Sequence, residues 1–445
     1  MILSQGKLKR ALGLILTLFL CASTLLILRT DFFERLHNHY QSEHVPPAIY
    51  KPQPNPAPLI VDNFPLAASA ETSSDLPPIP SWNTPPDPHV PEKTPLFIGF
   101  TRNWRLLQQV VVSYITAGWP PEDVYVVENT GTMYSNRDHL LTLQNPFYID
   151  YLRLTKILGV NVITTPTLLT FAQLQNFYIY TALNKEWDHY FWAHMDTVVL
   201  SDEDSNSSPP QSLYKRAVAI LRETLNPSYG PLATRWFAYD RLALVRTQAF
   251  VDVGGWDTLI PFYMTDCDMH ERLWMRNFTI EEASAGLVYD VGSSFEDLQQ
   301  LYIRNSTSTP GAPDEVPRRD SPTYRDLIST LEEMQRNKNE GKDGRNTWQS
   351  RQQGGQGEPF YRDGEGFERG VQMTMELGRK VFEEKWGRGR CDIRDAGLVE
   401  GDAWRVVGAW EDEAVQRNYK KGMRKKEHQE SKSKMKTKTP ADPLG

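Results

Sequence analysis

From residue 96 to residue 193, short apolar runs alternate with stretches of helical spacing, and the runs end in polar side chains. Leu96–Phe100 reads as a buried strand and is followed by Thr101-Arg102-Asn103. Leu107, Val110, Val111 and Tyr114 then recur at helical spacing until Gly118 stops the pattern. Residues 124–127 form a second strand ended by Glu128-Asn129, 160–163 a third, and 189–193 a fourth that runs into His194-Met195-Asp196. A helical stretch at 150–158 precedes the third strand, and one at 171–183 precedes the fourth. Parallel neighbours need a crossover of a dozen residues, and strands covered on both faces are continuously apolar. The expected fold is therefore α/β, a mostly parallel sheet with helices on both faces. Further on, the sequence predicts a helix over 213–224, a strand over 236–245, a turn at Gly254-Gly255-Trp256-Asp257, a helix over 266–275 and a strand over 287–291.

The flanking segments place this domain. Residues 11–28 carry no charge and would span about 27 Å as a helix. Lys7, Lys9 and Arg10 precede the run, so the positive-inside rule leaves 1–10 in the cytosol and the rest in a lumen or outside. The run reads as a transmembrane signal-anchor, with a cleaved signal peptide as the alternative. Asn206, Asn277 and Asn305 open Asn-X-Ser/Thr triplets that agree with a secretory chain. Of three cysteines, Cys267 and Cys391 lie beyond the run, either as a disulfide or as two buried thiols. Residues 46–95 hold 15 of the 31 prolines. Proline lacks a donor N–H, so 29–95 reads as an extended luminal stem that does not pack as a domain. The folded domain is expected over 96–302, a flexible insertion over 303–369 with one helical island from Ser321, a return of the domain over 370–410, and a basic disordered tail over 411–445. Net charge is −7, which argues against a nucleic-acid partner.

Ligands of open parallel sheets bind beyond the carboxyl ends of the strands. The polar residues there are Thr101, Arg102, Glu128, Asn129, His194 and Asp196. Arg102 can meet a phosphate, and Glu128 can accept from a ribose or a base. No phosphate-cradling Gly-X-X-X-X-Gly-Lys-Ser/Thr loop, His-Glu-X-X-His or Gly-X-Ser-X-Gly occurs. Carboxylates remain. Asp196 follows an apolar strand, and His194 shares its face at a spacing of two. Carboxylate with imidazole suits Mn²⁺ better than Ca²⁺. Thr265-X-X-Asp268 matches a capping box, which frees Asp266 either as a general base or as a complement to the helix N-terminus. Trp256 and Tyr263 flank the segment, as packers on sugar rings or as core residues.

This set resembles the GT-A nucleotide-sugar glycosyltransferases, in particular family-2-like enzymes of fungal type. The matching stretches are FIGFTRN (97–103), VYVVENT (124–130), QLQNFYIYTAL (173–183), HYFWAHMDTVVLSDED (189–204) and GGWDTLIPFYMTDCDMHERL (254–273), with GLVYDVGSSFEDL (286–298) and KWG (385–387) beside them. The resemblance covers about 96–300 and returns near 370–390. It implies a GT-A-like, Rossmann-like fold and transfer of a sugar from a UDP- or GDP-linked donor to a hydroxyl of a glycan, glycoprotein or glycolipid. It implies nucleotide-sugar binding by Thr101, Arg102, Glu128, Asn129 and Asp196, and acceptor binding by Trp256 and Tyr263. Mn²⁺ or Mg²⁺ would sit on Asp196 with His194, which stands where the first Asp of the family's Asp-X-Asp would be. Asp266 matches the catalytic base of inverting members and Asp268 the second acidic position. Anchor, stem and luminal domain resemble a type II Golgi membrane protein. Two other classes stay open: a non-catalytic membrane-tethered carbohydrate-binding or scaffolding protein, and a secreted glycosidase using Asp196 and Asp266.

Overall fold

The computed structural model describes residues 16–20, 22–27, 29–30, 34, 47–52, 58–204, 210–304, 321–340 and 364–408. The chain divides into one unit up to Pro56 and a second from Ala57. In the first, 16–20 and 22–27 are helical, with Leu16, Phe19 and Leu26 among the exposed side chains. Residues 11–15, 21 and 28 of the expected span lie outside the described residues. Among the described residues no helix is long and apolar enough to cross a membrane.

The second unit is built on a seven-stranded sheet of order β3-β2-β1-β4-β7-β6-β8. Its strands are β1 (Leu96–Phe100), β2 (Val124–Glu128), β3 (Asn161–Thr164), β4 (His189–Ala193), β6 (Leu232–Phe237), β7 (Leu242–Arg246) and β8 (Thr279–Ala283). β3, β2, β1 and β4 run parallel, as the crossover pattern predicts. β7 is antiparallel to both its neighbours, and β8 is parallel to β6. A small antiparallel pair, β5 (Thr197–Leu200) with β9 (Leu287–Asp290), stands apart from the main sheet.

Helix α1 (Trp104–Thr116) follows β1 because Asn103, with φ of 80°, turns the chain and accepts from the Leu106 N–H. Its apolar stripe, including Leu107, Val110 and Tyr114, is buried in the larger core cluster on one side of the sheet. Gly118, at φ +90°, ends it where a Cβ would strike the Asn83 carbonyl. Helix α2 (Phe171–Asn184) starts in a capping box from Thr170 to Gln173 and covers the other side, with Tyr178 and Ile179 in the second core cluster. Leu96, Phe97, Ile98 and Phe100 are fully buried between the layers. Each such side chain contributes about 1.5–3 kcal/mol over its exposed state. Gly99 lets α2 approach β1, since a Cβ there would run into Tyr178 and Leu174. The next helices along the chain are α3 (Leu213–Thr224), α4 (Thr247–Asp252), α5 (Thr265–Met275) and α6 (Gln299–Tyr302).

Three expectations change. The strand expected over 236–245 is a hairpin, broken at Ala238 and Tyr239, whose φ values are 57° and 58°. Neither is glycine, so the positive-φ positions of the turn carry no glycine marker in the sequence. Residues 58–95, expected as unpacked stem, pack against the domain. Phe64 is fully buried, Asn63 donates to the Phe295 carbonyl, and Asn83 accepts from the Ser201 hydroxyl. Side-chain amides there bond the domain in place of the ladder that proline-rich backbone cannot form. The insertion expected over 303–369 carries α7 (Tyr324–Glu340) and the start of α8 (Gly364–Trp386). Tyr324, Leu327 and Leu331 of α7 join the larger core, which turns the helical island into a packed element.

After α8 the chain returns to α5 through a Cys267–Cys391 disulfide with Cα atoms 5.5 Å apart. Of the two readings of these cysteines, the bonded one holds. Beside it Ile260, Phe382, Trp386 and Ile393 form a separate apolar cluster.

Candidate functional site

A cavity of about 610 Å³ opens beyond the carboxyl ends of β1 and β4. Thr101 and Arg102 enter it from β1, Asn129 from β2, His194 and Asp196 from β4, and Tyr263, Thr265 and Asp266 from the start of α5. Asp240, carried by the β6–β7 turn, lines it too. One wall is α8, through Phe367, Gly370, Val371, Thr374 and Met375. Phe171, Leu174 and Tyr178 of α2 add to its apolar lining. An apolar cleft with a few convergent polar groups is the usual form of a small-molecule site.

Arg102 is almost fully buried, and its guanidinium donates to Glu368 of α8 at 2.6 Å. Its guanidinium carbon lies 4.9 Å from the centre of the Phe367 ring. Asn129 lines the cavity, but its amide is shared with the loop before α2. It donates to the Leu169 carbonyl at 2.8 Å and accepts from the Leu169 N–H at 2.7 Å. Thr101 is half-buried at the cavity edge.

His194 sits between two carboxylates, with Nδ1 3.7 Å from Asp196 and Nε2 3.6 Å from Asp240. Burial disfavours its charged form, but Asp240 and Asp196 together outweigh it and push the imidazole up to about 10. Asp196 is held well below the usual carboxylate range. Burial opposes this, and His194 and Lys338 overcome it. Lys338 Nζ, near the end of α7, donates to Asp196 Oδ2 at 2.6 Å and also pairs with Asp290 at the end of β9. Arg241 reaches the same Asp290 at 3.4 Å. Charges of opposite sign thus alternate from Arg241 through Asp290, Lys338, Asp196 and His194 to Asp240.

The donor set does not fit a divalent ion. One oxygen of Asp196 is taken by an ammonium and the other faces the His194 ring at 3.7 Å. Among the described residues no three His, Cys, Asp or Glu side chains gather as ligands. The Mn²⁺ or Mg²⁺ that the resemblance implies on Asp196 and His194 has no prepared place.

Other sequence candidates fall away from the cavity. Glu128 is fully buried behind it and accepts from Asn136 at 2.6 Å, from Thr130 and Thr164 at 3.2 Å each, and from the Tyr151 hydroxyl. With these acceptor sites used, it braces the end of β2 rather than meeting a nucleotide. Asp268 is fully buried and held by Arg272 at 2.8 Å, Lys385 at 2.7 Å and Trp386 Nε1 at 2.9 Å, which ties α5 to α8. The capping box expected from Thr265 does not form, because Met264 takes the cap position with φ of 74°. Trp256 lies in the second core cluster against Phe171 and Phe250, so the acceptor role expected of it gives way to packing. Tyr263 remains exposed at the cavity, with Arg379 over its ring at 4.5 Å.

Sequence reasoning missed Asp240, Lys338 and Glu368. For Lys338 a signal exists. It continues the stripe Tyr324, Leu327, Leu331, Met334 at helical spacing, a cation on an apolar face. Asp240 sits in a turn hidden inside an apolar run, and Glu368 lies in a polar stretch where nothing sets it apart.

No family model and no curated protein matches the chain. Among solved structures, a mannosyltransferase from Pyrobaculum calidifontis in complex with GDP-Man and Mn²⁺ is similar at TM-score 0.30 and 11% identity, over 46% of this chain and 58% of that one. A cytidylyltransferase from Leptospira borgpetersenii serovar Hardjo-bovis is similar at TM-score 0.30 and 12% identity, over 55% of this chain and 97% of that one. GalNAc-T7 with UDP, GalNAc and Mn²⁺ is similar at TM-score 0.30 and 13% identity, over 47% of each chain. Likenesses this shallow carry no chemistry across to this chain, whose site is read from its own residues.

Proposed function

We propose that this chain is a glycosyltransferase that moves a sugar from a UDP- or GDP-linked donor to a hydroxyl of a glycan, glycoprotein or glycolipid. The observation that carries the reading is the meeting of Arg102, His194, Asp196, Tyr263 and Asp266 in one cavity at the carboxyl edge of the sheet. Two cationic groups can face a diphosphate, an exposed aromatic can meet a sugar ring, and a half-buried carboxylate opens a helix. Asp266 is the base. It takes the proton of the acceptor hydroxyl as that oxygen bonds to the anomeric carbon. The bond from that carbon to the phosphate oxygen breaks, and the diphosphate leaves with the electron pair. Its charge is met by Arg102 and His194. Attack from the side opposite the leaving group inverts the anomeric centre. Asp268, bound by Arg272, Lys385 and Trp386, is given no part in this step.

The compartment is proposed on the same terms: a Golgi membrane, with 11–28 as a type II anchor and the domain in the lumen. The basic residues before the run support it. So do the Cys267–Cys391 bridge, which suits an oxidising compartment, and the exposed position of Asn277. Asn206 and Asn305 lie outside the described residues.

One observation favours a second reading, a non-catalytic carbohydrate-binding or scaffolding protein. Arg102 and Asp196 already hold charged partners from α8 and α7. Incubating the protein with UDP- and GDP-sugars and glycan acceptors separates the two. Transfer, or slow release of UDP or GDP that Asp266→Asn abolishes, supports the enzyme. Tight glycan binding with no nucleotide binding supports the scaffold and ends the transferase reading.

A further inference from the structure

We propose that Lys338 is the resident cation of this site. Its ammonium takes the position on Asp196 that a divalent ion would occupy, and the site binds a nucleoside diphosphate without metal. This rests on the donor-site reading above and adds the means by which charge is handled there.

The placement is built rather than incidental. The Lys338 side chain is 4% exposed, so its charge is out of water and needs carboxylates around it. It has two, Asp196 Oδ2 at 2.6 Å and Asp290. The helix that carries it is packed by Leu327 and Leu331 on the larger core, and Gln335 of the same helix accepts from the Asp290 N–H at 2.9 Å. A lysine delivered by a packed helix to two buried carboxylates is a fixed charge. A divalent ion on Asp196 would find one oxygen held by an ammonium and the other facing the His194 ring, and two cations on one carboxylate repel.

The consequence reaches the cavity. Asp196 lines it and Lys338 stands behind. Bare, the Asp196 carboxylate would oppose an anionic diphosphate. Compensated from behind, it leaves Arg102 to face the anion. The departure of His194 from the family's first Asp then belongs to the same device. A second carboxylate would serve a metal, whereas an imidazole beside a lysine-bound carboxylate adds no further negative charge.

The test is equilibrium binding of UDP and of GDP to the full chain by calorimetry, in excess EDTA and in Mn²⁺, with electron paramagnetic resonance reading bound Mn²⁺ directly. Affinity in EDTA within about twofold of that in Mn²⁺, and no Mn²⁺ retained in an Asp196-dependent way, is the expected result. Lys338→Met is expected to lose at least about tenfold in UDP or GDP affinity, or to gain Mn²⁺ dependence, while Lys338→Arg keeps most of it. Should Lys338→Met fail to fold, the Lys338→Met/Asp290→Asn pair removes one charge of each sign, and the wild-type EDTA comparison decides by itself. Binding only with Mn²⁺, with the resonance signal lost in Asp196→Asn, overturns the inference and leaves the donor site standing. Binding of neither nucleotide under either condition instead overturns the donor site.

Discussion

Arg102 at the end of β1 and Glu368 in α8, 266 residues further on, form an ion pair of 2.6 Å with both side chains less than a tenth exposed. The pair ties the end of β1 to α8, which lines the cavity, and it places a carboxylate on the guanidinium that a phosphate would use. A carboxylate and a phosphate offer guanidinium the same forked acceptor.

Glu368→Gln should therefore have two opposed effects. It leaves a buried guanidinium short of an anion, and one-sided loss of such a pair costs about 3–5 kcal/mol. It also removes the carboxylate that competes with a diphosphate for Arg102. Melting temperatures with and without UDP or GDP should show a less stable variant that the nucleotide rescues more than it stabilises the wild type. An equal nucleotide shift in both would mean that Arg102 does not face the ligand.

Asp266 and Asp268, two residues apart on α5, should separate cleanly. Asp266→Asn is expected to change stability by no more than about 0.5 kcal/mol while lowering transfer by roughly 10²–10⁴. Asp268→Asn strips a carboxylate from Arg272, Lys385 and Trp386 and should destabilise by about 3–5 kcal/mol. Denaturant unfolding paired with initial rates reads both. A stable but inactive Asp268→Asn would return a direct chemical role to that residue.

Trp256 and Tyr263 should likewise part. Trp256→Ala opens a hole in the second core cluster and should cost about 3–5 kcal/mol. Tyr263→Ala, at an exposed ring on the cavity, should leave stability nearly unchanged and raise the KM for acceptor more than it lowers kcat. An unaltered acceptor KM would remove Tyr263 from the site.

His189, at the start of β4, is pushed down to about 4 by burial. The native state prefers its neutral form, so the unfolded chain binds more protons between pH 6.5 and about 4. Its contribution is present above the unfolded value and is lost as pH falls through that window. The difference in unfolding free energy between wild type and His189→Gln should shrink by on the order of 3 kcal/mol from pH 7 to pH 4. A difference independent of pH would show that His189 does not titrate in this window.

Periodicity and turn residues determined the elements that position the site. The strands β1 to β4, the helices α1 and α2, and the α5 segment are local matters of which side chains repeat at two or at 3.6 residues. The sequence also located the strand ends where Arg102, His194 and Asp196 appear, because polar residues after an apolar run mark the sheet's edge. Tertiary structure decided what those residues meet. Whether Asp196 holds a metal or an ammonium depends on Lys338, 142 residues away on a helix whose docking no local spacing records. Asp266 faces the cavity and Asp268 the core because one helix, opened by Met264, turns them apart and α8 covers only the second. Burial and charge pairing are sums over neighbours brought from distant parts of the chain, and a linear pattern carries the residue types but not those neighbours.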